Sequence, residues 1–564
     1  MYKKLSIIGL LLLLTFLGLV YAYLYQPVPA SQAFINGNIL TMDADNPVAE
    51  AVFIEHDRII AVGDNKTVLA LADKNTLLHD LKGKTLLPGF IDAHSHFPGS
   101  ALGAMNVDLN SPPIGGIKTM AQLIEALTTK AATTPKGDWI FGVSYDDTAL
   151  QEHRHPTLAE LDAAIPDHPV FLWHISAHMG VANSAAFALV GIDKNTPNPE
   201  GGIYVRDQQG ELTGLMEENA LELIQRAAMD FSIVDAFKMM KIAGEEYARA
   251  GVTTAQSGAV DDRLSQGINF GSRIGLIPMR MELWPLYNEF GKALLDESLH
   301  AEDYESDRVA IGAIKIIADG SIQGYTGYLG LPYFVSFHGD ESYRGYPRIP
   351  SEELFLQVEQ FHRKGFQLAI HGNGDASIED IIDAIEAAQA KYPRDDTRHI
   401  IVHAQMARQD QLERMQTLGI TPSFFVAHTY YWGDRHRDIF LGPERAARIS
   451  PAASSVALGL PFTIHLDTPV VPMSPLMLVW TAVNRLSSSG QVIGEVERIS
   501  VMEALKAVTI NAAWQVFQEQ NRGSISPGKY ADLVVLSGNP IDDPAGIKDL
   551  KVLQTVVGGR TIFE

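Results

Sequence analysis

The chain has 564 residues, of which 46% are hydrophobic and 20% charged, and it carries a formal net charge of −23. This length suits a large barrel with a smaller second domain rather than one small domain. The acidic balance argues against nucleic acid and against an anionic membrane surface as partners. Cysteine is absent from the sequence, which excludes disulfides, a thiolate nucleophile and cysteine-ligated zinc.

The chain begins with a basic and then apolar segment. Lys3 and Lys4 precede an apolar run that reaches about Tyr25. This order is typical of an export signal, and the run approaches the length of a membrane-spanning helix. We expect residues 1–25 to be a signal or transmembrane anchor, with its cleavage left open, and residues 26–32 to be a linker. The remainder would then lie on the extracytoplasmic, periplasmic side, membrane-anchored or secreted.

Both ends of the remaining chain are rich in short strand-like runs. Residues 33–85 alternate such runs with Asn-Gly and Gly-Asp turns, which predicts a small β module. Residues 519–564 show a similar pattern, for example at Val552–Val557. Because these two ends bracket a long α/β middle, we expect them to pair into one composite β-sandwich domain.

The middle of the chain, residues 86–518, alternates strand-like and helical runs, which is the pattern of parallel βα units. Eight strand-like runs occur in this order: Gly89–His94, Thr253–Ser257, Met279–Trp284, Ile311–Ala318, Gln367–His371, Ile400–His403, Thr421–Val426 and Pro461–Leu466. We therefore predict an α/β fold with a (β/α)8 TIM-type barrel. The helical runs include Gln409–Leu418 and Val501–Gln518. A large α/β insertion at about 106–229 separates the first strand from the second.

The segment Leu86–Pro98 carries the first metal-ligand pattern. It contains Phe90-Ile91-Asp92-Ala93, which predicts a buried strand, followed by His94 and His96. On a strand, side chains two residues apart point to the same side, so both imidazoles would converge on one point. Neutral imidazole is the commonest transition-metal ligand.

Other predicted strands supply further ligands at or near their ends. His371 ends the fifth strand, His403 ends the sixth, and Asp467 directly follows the eighth. Lys315 lies inside an apolar fourth strand, where desolvation would favour a neutral amine able to take up carbon dioxide as a carbamate. The alternatives for this lysine are a side chain that reaches solvent or a pair with Asp319. A single histidine is usually structural, but catalytic groups on this fold occupy these same strand ends.

Several motifs of this sequence resemble those of the amidohydrolase superfamily, specifically its amidohydrolase-3 branch of N-substituted formamide deformylase-like and YtcJ-like metal-dependent hydrolases. The resemblance covers nearly the whole chain after the N-terminal segment. It is carried by INGNILTMD (Ile35–Asp43), LPGFIDAHSH (Leu87–His96), AHMGVANSAAF (Ala177–Phe187), LTGLMEE (Leu212–Glu218), IKIIADGSIQGYTGYL (Ile314–Leu329), IHGNGD (Ile370–Asp375), VHAQ (Val402–Gln405), LDTPV (Leu466–Val470) and GKYADLVVL (Gly528–Leu536).

The resemblance implies a barrel with an appended β-sandwich and a divalent metal site, usually Zn²⁺, holding one or two ions. The residues at the family's metal positions are His94, His96, His371, His403 and Asp467. Lys315 matches the position that is often N6-carboxylated and bridges two metals. Two departures stand out: His465-Leu466 precedes Asp467 where Ser-Asp is common, and Gly-Asn-Gly-Asp follows His371 where Ala-Ile-Gly-Asp is more usual.

The predicted activity is hydrolysis of an amide-type carbon–nitrogen bond of a small molecule. A metal-activated hydroxide would attack, with Asp467 as general base and then acid, and Lys315 is the second candidate catalytic residue. No protein nucleophile is required, which agrees with the missing cysteine. The candidate substrate contacts are His178, Asn183, Tyr325, Tyr430 and Trp432. Aromatic walls would favour an apolar or aromatic substituent, although ordinary packing also explains such residues.

Three alternatives remain open from the sequence. A deaminase or a cyclic-imide hydrolase would use the same metal site, and a membrane-tethered binding or regulatory protein would carry an inactive barrel. The intact ligand set argues against the inactive barrel. The sequence leaves open the exact substrate, the number of metals and the subunit count, a homodimer included.

Overall fold

Eight parallel strands form a closed barrel, which confirms the predicted fold class. The barrel strands are Phe90–Ile91, Val252–Val260, Arg280–Pro285, Val309–Ile311 with Ile314–Ile317, Leu368–Gly372, Ile400–His403, Thr421–Phe424 and Thr463–Ile464. The fourth strand is in two pieces, of which the first pairs with the third strand and the second with the fifth. The barrel closes between its ends, where the Asp467 amide donates to the His94 carbonyl at 3.2 Å and the His96 amide donates to the Thr468 carbonyl at 2.8 Å.

The computed structural model describes residues 28–337 and 339–564. The predicted N-terminal anchor and the start of the linker therefore lie outside the described residues. Within these two ranges, every helix is too short or too polar to span a bilayer.

Amphipathic helices surround the barrel and bury one face each against its strands. They are Ile233–Arg249, Asp262–Arg273, Glu289–Leu295, Ser351–Arg363, Asp375–Lys391, Gln409–Leu418, Ala452–Leu458, Pro475–Asn484, Val501–Ala507 and Ile510–Gln515. The helix predicted at 409–418 has the observed bounds. The single helix predicted over 501–518 is wrong, because Thr509, with φ −136° and ψ −95°, interrupts it.

The two chain ends share a β-sandwich. One sheet contains, in order, Arg58–Gly63, Ala51–Glu55, Ser31–Ile35 and Leu77–Asp80. The other contains Arg560–Phe563, Val552–Val557, Leu533–Leu536, Thr85–Pro88, Asn38–Leu40 and Val48–Ala49. Leu533–Leu536 runs antiparallel to Thr85–Pro88, so a C-terminal strand holds the segment that leads directly into the first barrel strand.

The insertion after the first barrel strand has a six-stranded sheet of its own. Its strands are, in spatial order, Gly202–Arg206, Leu212–Glu218, Met179–Ala182, Val170–His174, Ile140–Tyr145 and Val107–Asp108. Four helices accompany this sheet: Met120–Ala131, Leu158–Ala164, Ser184–Val190 and Glu222–Ala228. Separate apolar clusters, one around Phe171 and one around Leu172, lie on its two faces because neighbouring strand residues point in opposite directions.

A buried ion pair joins the barrel to the sandwich. Arg280 begins the third barrel strand, and its Nε donates to Asp532 Oδ2 at 2.8 Å. Asp532 also accepts from the Gly558 amide at 2.7 Å, and the Arg280 guanidinium stacks on the Tyr530 ring, 3.8 Å from the ring centre. Both charged side chains are less than a tenth exposed.

We predict that Arg280→Met lowers the free energy of unfolding by about 3 to 5 kcal/mol, because it leaves the buried Asp532 carboxylate without its partner. Urea denaturation followed by circular dichroism measures the change. Lys194→Ala is the control, because it removes a pair with Glu211 in which both side chains are more than half exposed and should leave the midpoint unchanged. Equal midpoints for the two variants would contradict a stabilising role for the Arg280 pair.

Candidate metal centre

The barrel brings all six predicted ligand side chains to one place at the carboxyl ends of its strands. Asp467 Oδ1 lies 3.2 Å from His96 Nε2 and 3.4 Å from His94 Nε2. Asp467 Oδ2 lies 4.0 Å from His403 Nε2. The rings of His371 and His403 have centroids 4.5 Å apart.

Lys315 belongs to the same cluster. Its Nζ lies 3.1 Å from His94 Nε2, and its side chain is 2% exposed. Burial lowers the pKa of Lys315 to about 7, although the nearby Asp467 carboxylate acts in the opposite direction. The alternative partner considered from the sequence, Asp319, binds His371 instead, with 3.0 Å between Oδ1 and Nδ1.

The backbone around these ligands is unusual. His403 has a φ of 70° and Asp467 a φ of 56°, so both adopt the left-handed conformation that non-glycine residues rarely take. Such conformations concentrate at functional sites, where the surrounding structure holds them. Gly258 has a steric reason to be glycine, because a Cβ at this position would lie 2.5 Å from His94 Cε1.

In three of the four histidines, Nδ1 lies within hydrogen-bond distance of an oxygen atom, and this partner determines which ring nitrogen carries the proton. His94 Nδ1 lies 2.9 Å from Gln256 Oε1, an atom that also accepts from the Ser95 amide. His96 Nδ1 lies 3.0 Å from the Gly258 carbonyl oxygen, and His371 Nδ1 faces the Asp319 carboxylate. The Gln256 and Gly258 oxygens can only accept, and both Asp319 oxygens already accept from backbone amides. Each Nδ1 therefore carries a proton and each Nε2 presents a lone pair to the cluster.

The charges of the cluster agree with this assignment. Burial lowers the pKa of His94, His371 and His403 well below the ordinary range, so these imidazoles are neutral. Burial acts to raise the pKa of Asp467, but positive charge at the centre outweighs it and lowers the pKa to about 2. The carboxylate is therefore ionised at neutral pH.

The cluster fits a cation. Within the described part of the chain, the buried Oδ1 of Asp467 has no hydrogen-bond donor. The Nε2 atoms of His94 and His96 lie 3.4 and 3.2 Å from it, and their lone pairs face it. A carboxylate oxygen and imidazole lone pairs at 3.2–3.4 Å repel one another unless a positive ion lies among them. These donor types are those that Zn²⁺ prefers.

Of the five residues predicted to contact substrate, His178 lies beside the cluster and Tyr325 lies in the loop after the fourth barrel strand. His178 lies over the cluster, with its ring centroid 5.0 Å from that of His371. Its Nδ1 is 2.8 Å from Glu218 Oε2, so the imidazole has a fixed orientation. Tyr325 is half-buried in the loop after the fourth barrel strand and stacks on Phe337 at 4.5 Å.

The other three residues predicted to contact substrate, Asn183, Trp432 and Tyr430, instead contact neighbouring protein groups. Asn183 is completely buried and caps the helix Ser184–Val190 by accepting from the Ala186 amide, so the expectation that it contacts substrate is wrong in this structure. Trp432 is 1% exposed and donates to Asp146 Oδ2 at 3.1 Å. Tyr430 packs against Trp480, with 5.7 Å between the rings.

Sequence reasoning missed the residues that orient the ligands. Gln256 has no sequence signal, because a lone glutamine in a strand is not distinctive. Asp319 was considered only as a partner of Lys315, and His465 only as a neighbour of Asp467. Alternation along a strand places His465 and Asp467 on one side, and this signal could have linked His465 to the site.

Histidine and carboxylate ligands gathered at the carboxyl ends of a (β/α)8 barrel define the class of metal-dependent hydrolases. A model of the amidohydrolase family matches residues 78–563. The chain therefore belongs to the amidohydrolase family, and it is an enzyme of the class that acts on carbon–nitrogen bonds other than peptide bonds.

Known proteins resemble the chain over nearly its whole length. It is 30% identical to N-substituted formamide deformylase from Arthrobacter pascens, over 94% of this chain and 98% of the relative. It is 29% identical to the putative amidohydrolase YtcJ from Bacillus subtilis, with the same coverage. A crystal structure of an uncharacterized metal-dependent hydrolase from Pyrococcus horikoshii matches with a TM-score of 0.71 and 26% identity, over 92% of this chain and 99% of that one.

We predict that His94→Ala and Asp467→Asn each lower the affinity for Zn²⁺ by more than about 100-fold, because losing a direct ligand costs more than losing an outer partner of a ligand. Competition with a chromophoric chelator measures the affinity. His300→Ala is the control, since His300 is exposed and outside the cluster. An unchanged affinity in both ligand variants would show that the metal binds elsewhere.

Proposed function

We propose that this enzyme hydrolyses an amide-type carbon–nitrogen bond of a small molecule, with Asp467 moving the proton. The observation that carries the proposal is the buried Asp467 Oδ1, which lacks a hydrogen-bond donor and faces the lone pairs of two histidines. An oxygen in this position suits both metal binding and proton transfer to and from a water molecule held at the same point.

The metal would be divalent, with Zn²⁺ the expected ion, and would be held by His94, His96, His371, His403 and Asp467. When bound, such an ion lowers the pKa of a water molecule toward neutrality and polarises a carbonyl oxygen. The histidines contribute neutral ligands, so Asp467 is the only anionic group among these five. This leaves net positive charge at the centre, which favours an oxyanion developing on the substrate.

Asp467 would act as general base and then general acid. Its low pKa keeps it ionised and ready to accept a proton from the attacking water. It would then return this proton to the leaving nitrogen, which must be protonated before it departs as an amine. The left-handed backbone at Asp467 holds the carboxylate beside the histidines while this exchange occurs.

Lys315 has two candidate roles. A pKa near 7 leaves a substantial fraction of the amine neutral at physiological pH, and only a neutral amine reacts with carbon dioxide. A carbamate at Nζ would add a bidentate anion able to bridge two ions. We favour the carbamate because Lys315 lies 3.1 Å from the metal-facing nitrogen of His94, where an ammonium would oppose a cation.

The substrate would carry an apolar or aromatic substituent. His178 is fixed by Glu218 at the edge of the cluster, where its Nε2 can contact a substrate polar group. Tyr325 and Phe337 form a half-buried aromatic wall in the loop after the fourth strand. The relative named N-substituted formamide deformylase makes N-substituted formamides the first class to assay.

We predict that the Zn²⁺-loaded enzyme hydrolyses N-substituted formamides, with aryl substituents preferred over charged ones. Asp467→Asn should lower kcat by about 10²- to 10⁴-fold at saturating metal, the usual contribution of a general base. The products measured are formate and amine from formamides, acetate and amine from acetamides, the ring-opened half-amide from cyclic imides, and ammonia from aminopurines. His300→Ala should retain full activity. Turnover confined to cyclic imides or to amino-heterocycles would replace the proposal with imide hydrolysis or deamination, and no turnover of any compound by metal-loaded enzyme would reject it.

We predict that Lys315→Ala loses most activity and regains part of it when a short carboxylate such as formate or propionate is added. The added anion would replace the bridging carbamate in the space left by the side chain. Metal content should rise with the carboxylate as activity does. Rescue by a short alkylamine instead, with one ion per chain throughout, would assign Lys315 the role of a free amine.

A further inference from the structure

The loop after the fourth barrel strand presents three apolar side chains to solvent within five positions. Leu331 is 64% exposed, Phe334 56% and Val335 44%. Single exposed apolar residues are common on soluble proteins, whereas several neighbouring ones mark a surface that binds a ligand or a partner. We call these three residues the lip.

The sequence around the lip is free of charge. Residues 320–337 contain no Asp, Glu, Lys or Arg, although 20% of all residues are charged and the chain has a net charge of −23. An uncharged surface on an acidic protein suits an apolar ligand, because a charged ligand would gain no ion pair there.

Two backbone hydrogen bonds hold the lip in place. The Phe334 amide donates to the Phe440 carbonyl and the Val335 amide donates to the Ile439 carbonyl, each at 2.9 Å. Phe440 and Ile439 belong to the loop after the seventh barrel strand, which ends at Phe424. The loops of strands four and seven are therefore joined at the carboxyl face of the barrel, the face that carries the metal ligands.

The joined loops lie beside the ends of the two strands between them. Strands five and six separate strands four and seven in the barrel sheet, and their carboxyl ends carry His371 and His403. Met406, which follows His403 by three residues, packs in the same apolar cluster as Tyr333 and Phe440. The contact between the two loops thus lies next to two of the candidate ligands.

A short path connects the lip to the metal cluster. Asp319 Oδ1 lies 3.0 Å from His371 Nδ1, and Asp319 Oδ2 accepts from the Tyr328 amide at 3.1 Å. Leu331 follows Tyr328 by three residues, so their Cα atoms lie within about 11 Å of each other. A long substituent of a substrate held at the cluster is therefore able to reach Leu331.

Aromatic rings continue this path to Phe334. Tyr325 packs on Tyr333 with 4.8 Å between the ring centres, and Tyr333 directly precedes Phe334. The Phe334 ring rests on Gly442, where a Cβ would lie 2.7 Å from the ring. Phe334 is thus supported from below, and its other side remains open to a ligand.

We propose that the lip binds the apolar substituent of the substrate, which makes amides with a long alkyl or arylalkyl chain on nitrogen the preferred class. This inference rests on the proposed function and deepens it. The apolar surface runs from Tyr325 outward to the lip, so a substituent longer than one aromatic ring would lie along it. Contact between the chain and the lip removes apolar surface of both from water.

The first test measures kcat/KM of the Zn²⁺-loaded enzyme for N-methyl-, N-butyl- and N-octylformamide. We expect the parent value to rise by up to about fourfold for each methylene that the lip covers. Leu331→Ser and Phe334→Ser should each lower the octyl-to-methyl ratio by about 10-fold, the effect of losing roughly half the burial of such a side chain. Leu331→Phe should keep the ratio, because it retains the apolar surface.

Leu78→Ser is the matched control. Leu78 is 50% exposed and lies in the edge strand Leu77–Asp80 of the sandwich, so its loss should leave the ratio unchanged. Thermal melting verifies that each variant folds. If Phe334→Ser does not fold, the more exposed Leu331 still decides the test.

Three results would overturn the lip as a substrate surface. One is an equal octyl-to-methyl ratio in the parent, Leu331→Ser and Leu331→Phe. Another is a shift from dimer to monomer in sedimentation of Leu331→Ser with the ratio unchanged, which would assign the lip to a second copy of the chain. The third is loss of binding to phosphatidylcholine vesicles in Leu331→Ser with the ratio unchanged, which would assign it to a bilayer.

A second measurement separates this inference from the proposed function. Alkylhydroxamates chelate a divalent ion through two oxygens, so calorimetry with acetohydroxamate and decanohydroxamate reports the effect of chain length without turnover. If no formamide is hydrolysed, but the longer compound binds more tightly and Leu331→Ser removes this gain, the lip stands and the proposed function fails. Equal kcat/KM for short and long formamides, with equal affinity for both hydroxamates, would keep the proposed function and reject the lip.

Discussion

The metal centre depends on where a few protons are held. Three of the four histidine ligands donate outward from Nδ1, to a side-chain amide, a backbone carbonyl or a carboxylate, and so direct Nε2 inward. The inward lone pairs meet the buried oxygen of Asp467 at 3.2–3.4 Å from two of them. Without a cation this arrangement concentrates electron-rich atoms in a region with little water. The barrel supplies the geometry because the carboxyl ends of all eight strands meet at one face.

Segments outside the barrel cover this face. The insertion contributes His178, and the loop after the fourth barrel strand contributes Tyr325. A polar contact ties the insertion to the barrel, since Asp146 accepts from Arg435 at 2.7 Å and from the Trp432 indole at 3.1 Å. Trp432, which the sequence suggested as a substrate contact, therefore helps to hold the insertion against the barrel. The differences between this enzyme and its relatives in substrate choice should reside in these covering segments, which are loops and an inserted sheet.

Much of the fold and the gathering of the six candidate ligands could be predicted because both follow from local sequence patterns. Alternating strand and helix runs predict a barrel, and His94 with His96 form a pattern within one short segment. The partners of the ligands could not be predicted in the same way, because Gln256, for example, is brought to His94 only by tertiary structure. Asn183 illustrates a competing signal: an asparagine before a helix is a good N-cap, and this local role prevailed over substrate contact.

The β-sandwich has a consequence for the order in which the molecule is completed. Thr85–Pro88 leads directly to His94 and His96, and its neighbour in the sheet, Leu533–Leu536, is among the last strands of the chain. The first two ligands are therefore anchored by a strand that is synthesised after every other ligand. A chain that terminates early contains all the ligand residues but lacks the support for two of them. Support of the first two ligands by the sandwich therefore comes only after the last barrel strand has been synthesised.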